Sequence, residues 1–164
     1  MDLRDLNAMP TDDFVEALGG IFEHSPWVAR AVAGKRPFAD VDTLHGAMVE
    51  AMQGAGEAGH LALIRAHPDL GTRLKLSDSS TAEQASAGLD QLSPEEFARF
   101  TELNTRYRDR FGFPFIIAVR DNTRAQILQA FERRIANDRA SEVSTALAQI
   151  ARIARIRLDQ AIAQ

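Results

Sequence analysis

One stretch of the chain departs from a helical pattern: Phe111-Gly112-Phe113-Pro114-Phe115-Ile116-Ile117-Ala118-Val119. Gly112 and Pro114 disfavour a helix at its start, and the β-branched residues after them favour an extended backbone. A single extended segment cannot form a sheet, and no other stretch alternates apolar and polar residues convincingly. The sequence therefore predicts an all-α fold in which residues 111–119 form an extended connector through the core.

Capping residues mark helix starts on both sides of this connector. Ser93 stands three residues before Glu96, and Thr123 stands three residues before Gln126, so a capping box is predicted at each position. With no internal repeat and no linker, residues 1–164 are expected to form a single domain of about eight helices. The predicted helices are 11–20, 26–33, 41–52, 56–66, 80–90, 94–110, 123–137 and 141–162.

Composition excludes several classes of protein. Apolar residues make up 45% and charged residues 26%, as in globular domains. No apolar run reaches the roughly 18–20 residues of a membrane span, and the start of the chain has no secretory signal pattern. The absence of cysteine excludes thiolate chemistry and disulfides. Residues 1–82 carry net charge −5 and residues 83–164 carry +1, so neither half predicts a nucleic-acid or membrane partner.

A histidine stands where a helix must stop. The apolar stretch 61–64 leads into His67-Pro68, and Pro68 disfavours helical dihedrals at the residue before it. The helix is therefore predicted to end at or near His67, which places the imidazole by the negative end of the helix dipole and favours its protonated form. A histidine held this way can donate a proton in a site, although a solvated histidine that caps a helix is the commoner use.

Two further elements have both a structural and a functional interpretation. Ser80 and Glu83 have the spacing of a capping box, which by itself requires no function, but this motif leaves Gln84 unexplained. The connector 111–119 is typical of a core-filling aromatic segment. Its peptide groups lack helical partners, however, and could pair with a planar ligand rich in amides.

The last helix carries one inward arginine. Arg157 lies seven residues after Ile150, on the predicted apolar stripe, whereas Arg152 and Arg155 point away from it and are expected to face solvent. A buried guanidinium needs an anionic partner. The partner is either an internal carboxylate, which gives a core salt bridge, or the carboxylate of a ligand.

Taken together, these motifs resemble those of a known family. They are His67-Pro68-Asp69-Leu70-Gly71, then Ser80-x-x-Glu83-Gln84-x-x-Ala87-Gly88-Leu89, then Phe100-x-x-Leu103-Asn104-x-x-Tyr107-x-x-Arg110 continuing to Ile116. Residues 22–29 are similar to the N-terminal signature of the same family. In order and spacing, over nearly the whole chain, the sequence resembles the 2-oxo-4-hydroxy-4-carboxy-5-ureidoimidazoline (OHCU) decarboxylases.

The resemblance implies an all-helical, cofactor-free homodimer that converts OHCU to (S)-allantoin, the last step of urate degradation. It places the catalytic residues at His67, Glu83 and Arg157. The substrate-binding positions that it implies are Pro68, Ser80, Glu83, Gln84, Phe115, Ile116, Ile117, Ala118 and Val119. Because the chain ends Ala161-Ile162-Ala163-Gln164, without the peroxisomal address of eukaryotic members, a bacterial cytoplasmic enzyme is expected.

Two other functions remain open from the residues alone. One is a metal-assisted amidohydrolase that would use His60, His67 and Asp69, although their spacing is not typical of a zinc site. The other is a helical module without catalytic activity, in which Arg157 and the phenylalanine-rich connector would form a protein interface.

Overall fold

The computed structural model describes residues 1–163, and the predicted all-α class is confirmed. Within these residues the chain forms nine α-helices and a 3-10 turn at Val119–Asp121. Extended pairing in the same range is limited to an isolated β-bridge between Asp2 and Ala163. The helices are α1 Leu3–Ala8, α2 Thr11–Leu18, α3 Trp27–Ala33, α4 Val41–Gln53, α5 Gly56–Arg65, α6 Asp78–Ser86, α7 Pro94–Phe111, α8 Arg124–Arg134 and α9 Arg139–Ala161.

The helix starts beside the connector are those that the capping residues predict. Ser93 and Glu96 form a complete capping box at the start of α7, and Thr123 and Gln126 form another at the start of α8. Helix α1, which is six residues long and capped by Asp2, was not predicted from the sequence. Such a short helix offers too few turns for a periodic pattern to be recognised.

The start of α6 was predicted wrongly. Ser77, not Ser80, is the N-cap, and its hydroxyl accepts a hydrogen bond from the N–H of Ser80. The earlier start places Asp78 in the first turn, where a carboxylate is favourable, and carries Ser80 into the buried side of the helix. Ser80 and Glu83 are therefore inside α6, and the structural explanation of their spacing no longer applies.

The described chain divides into two compact units. The terminal unit comprises Met1–Ala66 together with the described residues from Ala151 onward. In it α3 packs on α2 and α4, and α4 packs on α5. Its core consists of large apolar side chains with no more than 2% of their surface exposed: Leu6, Phe14, Leu18, Phe22, Val28, Val32, Leu44, Met48, Met52, Leu63, Ile64, Leu158 and Ile162.

The central unit comprises His67–Ile150 and is built around aromatic rings. The ring of Tyr107 lies 4.6–5.9 Å, centroid to centroid, from those of Phe111, Phe113, Phe115 and Phe131. These spacings are typical of favourable aromatic pairs. The cluster joins α7, α8 and the connector into one core.

The connector is confirmed as a non-helical segment, with shifted ends. Phe111 is still the last residue of α7, Gly112 ends that helix at φ 78°, and Val119 begins the 3-10 turn. Residues 113–119 are all buried. The segment thus supplies core side chains and leaves its peptide groups to be satisfied by partners outside regular structure.

Candidate active site

His67 lies immediately after the end of a helix, as predicted. Helix α5 ends at Arg65, with Ala66 as its C-cap, so the termination before Pro68 is confirmed within two residues. The His67 side chain is buried, with 7% of its surface exposed. A solvated capping histidine would be far more exposed, so this burial rules out that interpretation, and a role of His67 in proton transfer stays a prediction.

Side chains from α6 and α7 fix the loop that follows His67. Gln84 accepts a hydrogen bond from the N–H of Gly71 at 2.9 Å and donates one to the carbonyl of Asp69 at 3.0 Å. Asn104 donates to the carbonyl of Leu70 at 2.9 Å. Three consecutive residues of the loop are thus held through their peptide groups, which restricts the backbone that carries His67.

An ion pair and a glycine also define the conformation of this loop. The guanidinium of Arg108 pairs with the carboxylate of Asp69, with Nε and Oδ1 2.8 Å apart. Gly71 has a φ of 69°, and a Cβ atom there would lie 2.8 Å from Cδ1 of Leu92. The left-handed conformation favours glycine at this position, and a Cβ atom would also require the end of the Leu92 side chain to shift, which explains the last residue of the His67–Gly71 motif.

Helix α6 presents the second group of predicted residues. Ser80 and Gln84 are four residues apart on one buried face, with 5% and 4% of their surfaces exposed, and Glu83 is half-buried beside them. Gln84, predicted as a substrate-binding residue, uses its amide to hold the loop after His67. A substrate contact by the same side chain remains a prediction.

The C-terminal end of the connector leads into a turn that contacts α6. The 3-10 turn Val119–Asp121 packs against α6, and the predicted substrate-binding segment, residues 115–119, leads directly into that turn. The central unit therefore brings together three of the predicted elements: the His67 loop, the buried face of α6 and the end of the connector.

Arg157 lies in the terminal unit, where it takes part in a buried ion pair. Its Nη2 atom lies 2.7 Å from Oε2 of Glu23, and its Nη1 atom donates to the carbonyls of Gly20 and Ile21 at 3.1 and 3.4 Å. Arg157 and Glu23 have 5% and 1% of their surfaces exposed. The internal carboxylate that the sequence left open is thus present, and the role of Arg157 toward a ligand carboxylate stays a prediction.

The two arginines that precede Arg157 most closely on α9 lie nearer the surface. Arg152 is exposed, as predicted. Arg155 is half-buried because it forms ion pairs with Asp42 and Asp159. The sequence indicated only that these side chains point away from the apolar stripe, and it contained no signal for the acidic partner on α4.

Several residues of this region were not identified from the sequence. Arg108 was overlooked, and Asn104 was noted in the family-like motif but was given no role, although a polar residue on the apolar face of α7 was a detectable signal. Glu23 was also missed as the partner of Arg157. It belongs to the family-like stretch 22–29, but no spacing rule connects it to a residue more than a hundred positions later.

The side chains of the two alternative functions are engaged elsewhere. His60 contacts the carbonyls of Met52 and Gln53 through Nε2, and Asp69 pairs with Arg108. Across residues 1–163, no cluster of three or more histidine, aspartate or glutamate side chains could hold a metal ion. The phenylalanines of the connector are buried in the core and offer no surface for a partner protein.

Comparisons with known proteins point to one family. The family model described as "OHCU decarboxylase" matches residues 7–159. The chain is 47% identical over 158 residues to the 2-oxo-4-hydroxy-4-carboxy-5-ureidoimidazoline decarboxylase of Haloferax volcanii, with 96% of this chain and 94% of that protein covered. It is 44% identical to the uric acid degradation bifunctional protein PucL of Bacillus subtilis, in a match that covers 99% of this chain and 33% of that protein.

A solved structure gives the same result. The crystal structure of an (S)-allantoin synthase superimposes with a TM-score of 0.81 at 32% sequence identity. The match covers 99% of this chain, which spans about half of that protein, 54% of its length.

Proposed function

The chain belongs to the OHCU decarboxylase family, and on this basis we propose that it decarboxylates OHCU to (S)-allantoin. The observation that carries the proposal is the 47% identity to a decarboxylase of this name over 94% of that relative's length. The uric acid degradation protein of Bacillus subtilis supports a place in urate breakdown. The fixed loop after His67, packed against α6, gives the chemistry a rigid frame.

The substrate itself supplies what decarboxylation most needs. Its carboxylated carbon adjoins a ring C=N bond, which accepts the electron pair that the breaking C–C bond releases. CO2 leaves, the released pair forms a C=C bond to the adjoining carbon as the C=N nitrogen takes up a proton, and a proton is then delivered to that ureido-bearing carbon while the hydroxyl on the decarboxylated carbon gives up its own proton and becomes the ring carbonyl. The protein has to hold the substrate, stabilise charge as it reaches the ring, and supply the proton to one face.

We assign the proton transfers to His67 and Glu83. Both belong to the central unit, His67 on the restrained loop and Glu83 inside α6. A positioned acid or base contributes about 10²–10⁴-fold to a rate, so the rest must come from orientation and electrostatics. We assign substrate contacts to Pro68, Ser80, Gln84 and residues 115–119.

We retain Arg157 as the residue proposed to hold the substrate carboxylate. A guanidinium binds a carboxylate through two parallel hydrogen bonds, which a lysine ammonium cannot reproduce. The competing role is a core ion pair with Glu23. Stability and activity have to be measured together to separate these roles.

The homodimeric state and the cytoplasmic location are also proposals that rest on the family resemblance. The structure adds that no helix within residues 1–163 combines the length and the apolar composition needed to cross a membrane.

The direct test of the proposed activity is optical. Freshly generated OHCU is followed by circular dichroism with and without the protein, because this signal reports an excess of one enantiomer of allantoin. The expected result is accelerated formation of (S)-allantoin. An unchanged decay rate with a racemic product would exclude the proposed function.

Glu83→Gln is expected to lower kcat by about 10²–10⁴-fold and to change Tm by less than about 2–4 °C. Glutamine keeps the size of the side chain but cannot accept or release the proton, and Glu83 is not the capping residue of α6. Measurements of kcat and Tm on the same variant distinguish a catalytic role of Glu83 from a structural one. The matched control is Glu95→Gln, at an exposed position in the first turn of α7, which should leave both unchanged. Small losses of similar size in kcat and Tm would make Glu83 a structural residue.

Removal of metal ions is expected to leave activity intact. After exhaustive treatment with EDTA and dialysis, kcat/KM should equal that of the untreated protein, because the substrate carries its own electron sink. Adding back Zn²⁺, Mn²⁺ or Mg²⁺ is the control. Loss of activity that a metal ion restores would support the amidohydrolase alternative and its residues His60, His67 and Asp69.

A further inference from the structure

Side chains from three elements hold the backbone of residues 116–118. Arg134 of α8 donates from Nη1 to the carbonyl of Ile116 at 2.7 Å. Gln149 of α9 accepts from the N–H of Ala118 at 2.9 Å, and Asn122 donates to the carbonyl of Ala118 at 2.8 Å. None of these contacts uses the peptide groups of Ile117, which lies between the two held residues.

A buried polar network orients Arg134. Its Nε atom lies 2.9 Å from Oε1 of Glu142, and its guanidinium carbon lies 4.3 Å from the ring centre of Phe115. Glu142 has no exposed surface and also accepts hydrogen bonds from Tyr107 at 2.5 Å and Asn137 at 3.0 Å. Each partner of the carboxylate is a donor, so the network has one consistent arrangement.

Tyr107 remains a donor in this network over the whole working pH range. Burial raises the pKa of its phenol, and the hydrogen bond to the Glu142 carboxylate raises it further. The phenol of Tyr107 therefore keeps its hydrogen bond to the Glu142 carboxylate near neutral pH. The carbonyl of Ile116 is held by a guanidinium that is itself fixed by two other elements of the central unit.

We propose that Arg134 and Gln149 are positioning residues for the decarboxylation. They hold Ile116 and Ala118 so that the peptide N–H and C=O of Ile117 point in one fixed direction toward the ureido and ring amides of the substrate. The inference rests on the proposed function, because it assigns a task to the substrate-binding segment 115–119. Neither residue needs to touch the substrate, since both act through the backbone.

The arrangement predicts which kinetic constant responds. Contacts between a peptide group and the amides of the substrate are present in the bound substrate and in the transition state alike. Their loss therefore weakens binding and raises KM more than it lowers kcat. A purely structural residue would instead lower the amount of folded protein and leave KM unchanged.

Gln149 offers the cleaner test because it lies outside the buried ion pair. Gln149→Leu keeps the bulk but removes the acceptor for the Ala118 N–H. KM for OHCU is expected to rise about 5–30-fold, the range for losing one hydrogen bond that fixes a binding group, with kcat within about 3-fold of the wild type. Gln149→Glu keeps an acceptor oxygen in the same place and should restore KM to within about 3-fold of the wild type.

Gln129→Leu is the matched control. Gln129 lines the same polar cavity of about 380 Å³ as Gln149, but it lies on α8 at an exposed position. Its KM should equal that of the wild type. Amide hydrogen exchange of residues 113–121 provides a second readout, which should accelerate in Gln149→Leu and in neither of the other two variants.

The outcomes separate this inference from the proposed function. An active wild type whose KM is matched by Gln149→Leu overturns the positioning role and leaves the decarboxylase assignment in place. A raised KM in both Gln149→Leu and Gln149→Glu overturns it as well, because an acceptor alone would then not be sufficient. A wild type that does not accelerate the decay of OHCU overturns the proposed function and this inference together.

Discussion

His67→Gln is expected to lower kcat for OHCU by about 10²–10⁴-fold while the protein remains folded. Glutamine is close to histidine in length and polarity but cannot donate and recover a proton at neutral pH. The contacts of Gln84 and Asn104 with the following loop involve peptide groups of residues 69–71, so they do not depend on the imidazole. Tm is expected to stay within about 2–4 °C of the wild type.

His60→Gln is the control for this experiment. His60 is a second histidine in the same part of the sequence, and its ring contacts backbone carbonyls only through Nε2. This variant should decarboxylate OHCU like the wild type. If folded His67→Gln keeps near-normal kcat, His67 has no part in proton transfer and the site assignment has to be revised.

Removing Arg157 is expected to have the second large effect, on stability and activity together. Arg157→Met leaves Glu23 as a buried carboxylate without its guanidinium partner, and breaking such a pair costs about 3–5 kcal/mol. Arg157→Lys keeps the charge but loses the forked donors that reach the Glu23 carboxylate and the carbonyl of Gly20. Because an ammonium also cannot bind the substrate carboxylate through two parallel hydrogen bonds, kcat/KM should fall. Thermal unfolding and kcat/KM are measured on every variant.

Arg152→Lys and Arg155→Lys are the controls on the same helix. Arg152 is exposed, and the half-buried Arg155 pairs with the exposed carboxylates of Asp42 and Asp159. Such pairs contribute at most about 1 kcal/mol, so both variants should resemble the wild type in Tm and kcat/KM. If Arg157→Lys is as active as these two, Arg157 does not hold the substrate carboxylate.

A double variant separates the two roles of Arg157. Glu23→Leu combined with Arg157→Met replaces the buried ion pair by apolar side chains, a change that proteins often tolerate without loss of stability. We expect a folded protein with kcat/KM reduced by at least about 100-fold, because no guanidinium remains for the carboxylate. A folded and active double variant would show that Arg157 is only a core ion-pair residue.

Local chemistry in the sequence determined most of the fold. The capping boxes at Ser93 and Thr123 placed the starts of α7 and α8, because a cap is a contact between residues three positions apart. Pro68 placed the end of α5 near His67, and Gly112 with Pro114 placed the non-helical connector. Each of these signals acts between residues a few positions apart and can therefore be recognised in the sequence.

The same local rules failed where several residues competed for one role. Ser77 and Ser80 can both cap a helix, and the spacing of Ser80 and Glu83 favoured the wrong one. The folded chain starts α6 at Asp78, with Ser77 as the N-cap, and buries Ser80 with Gln84 on one face of the helix. In the same way, no local signal in the sequence identified Glu142 as the buried partner of Arg134.

The sequence by itself determined the all-α class, the helix boundaries that caps and prolines set, the position of His67 after a helix, and the inward face of Arg157. Only the tertiary structure decided which partners these residues meet. Gln84 with Gly71, Arg134 with the Ile116 carbonyl and Glu23 with Arg157 are 13, 18 and 134 residues apart. Such pairs form because burial leaves peptide groups and charges that must find a partner, and the packing of distant helices supplies that partner.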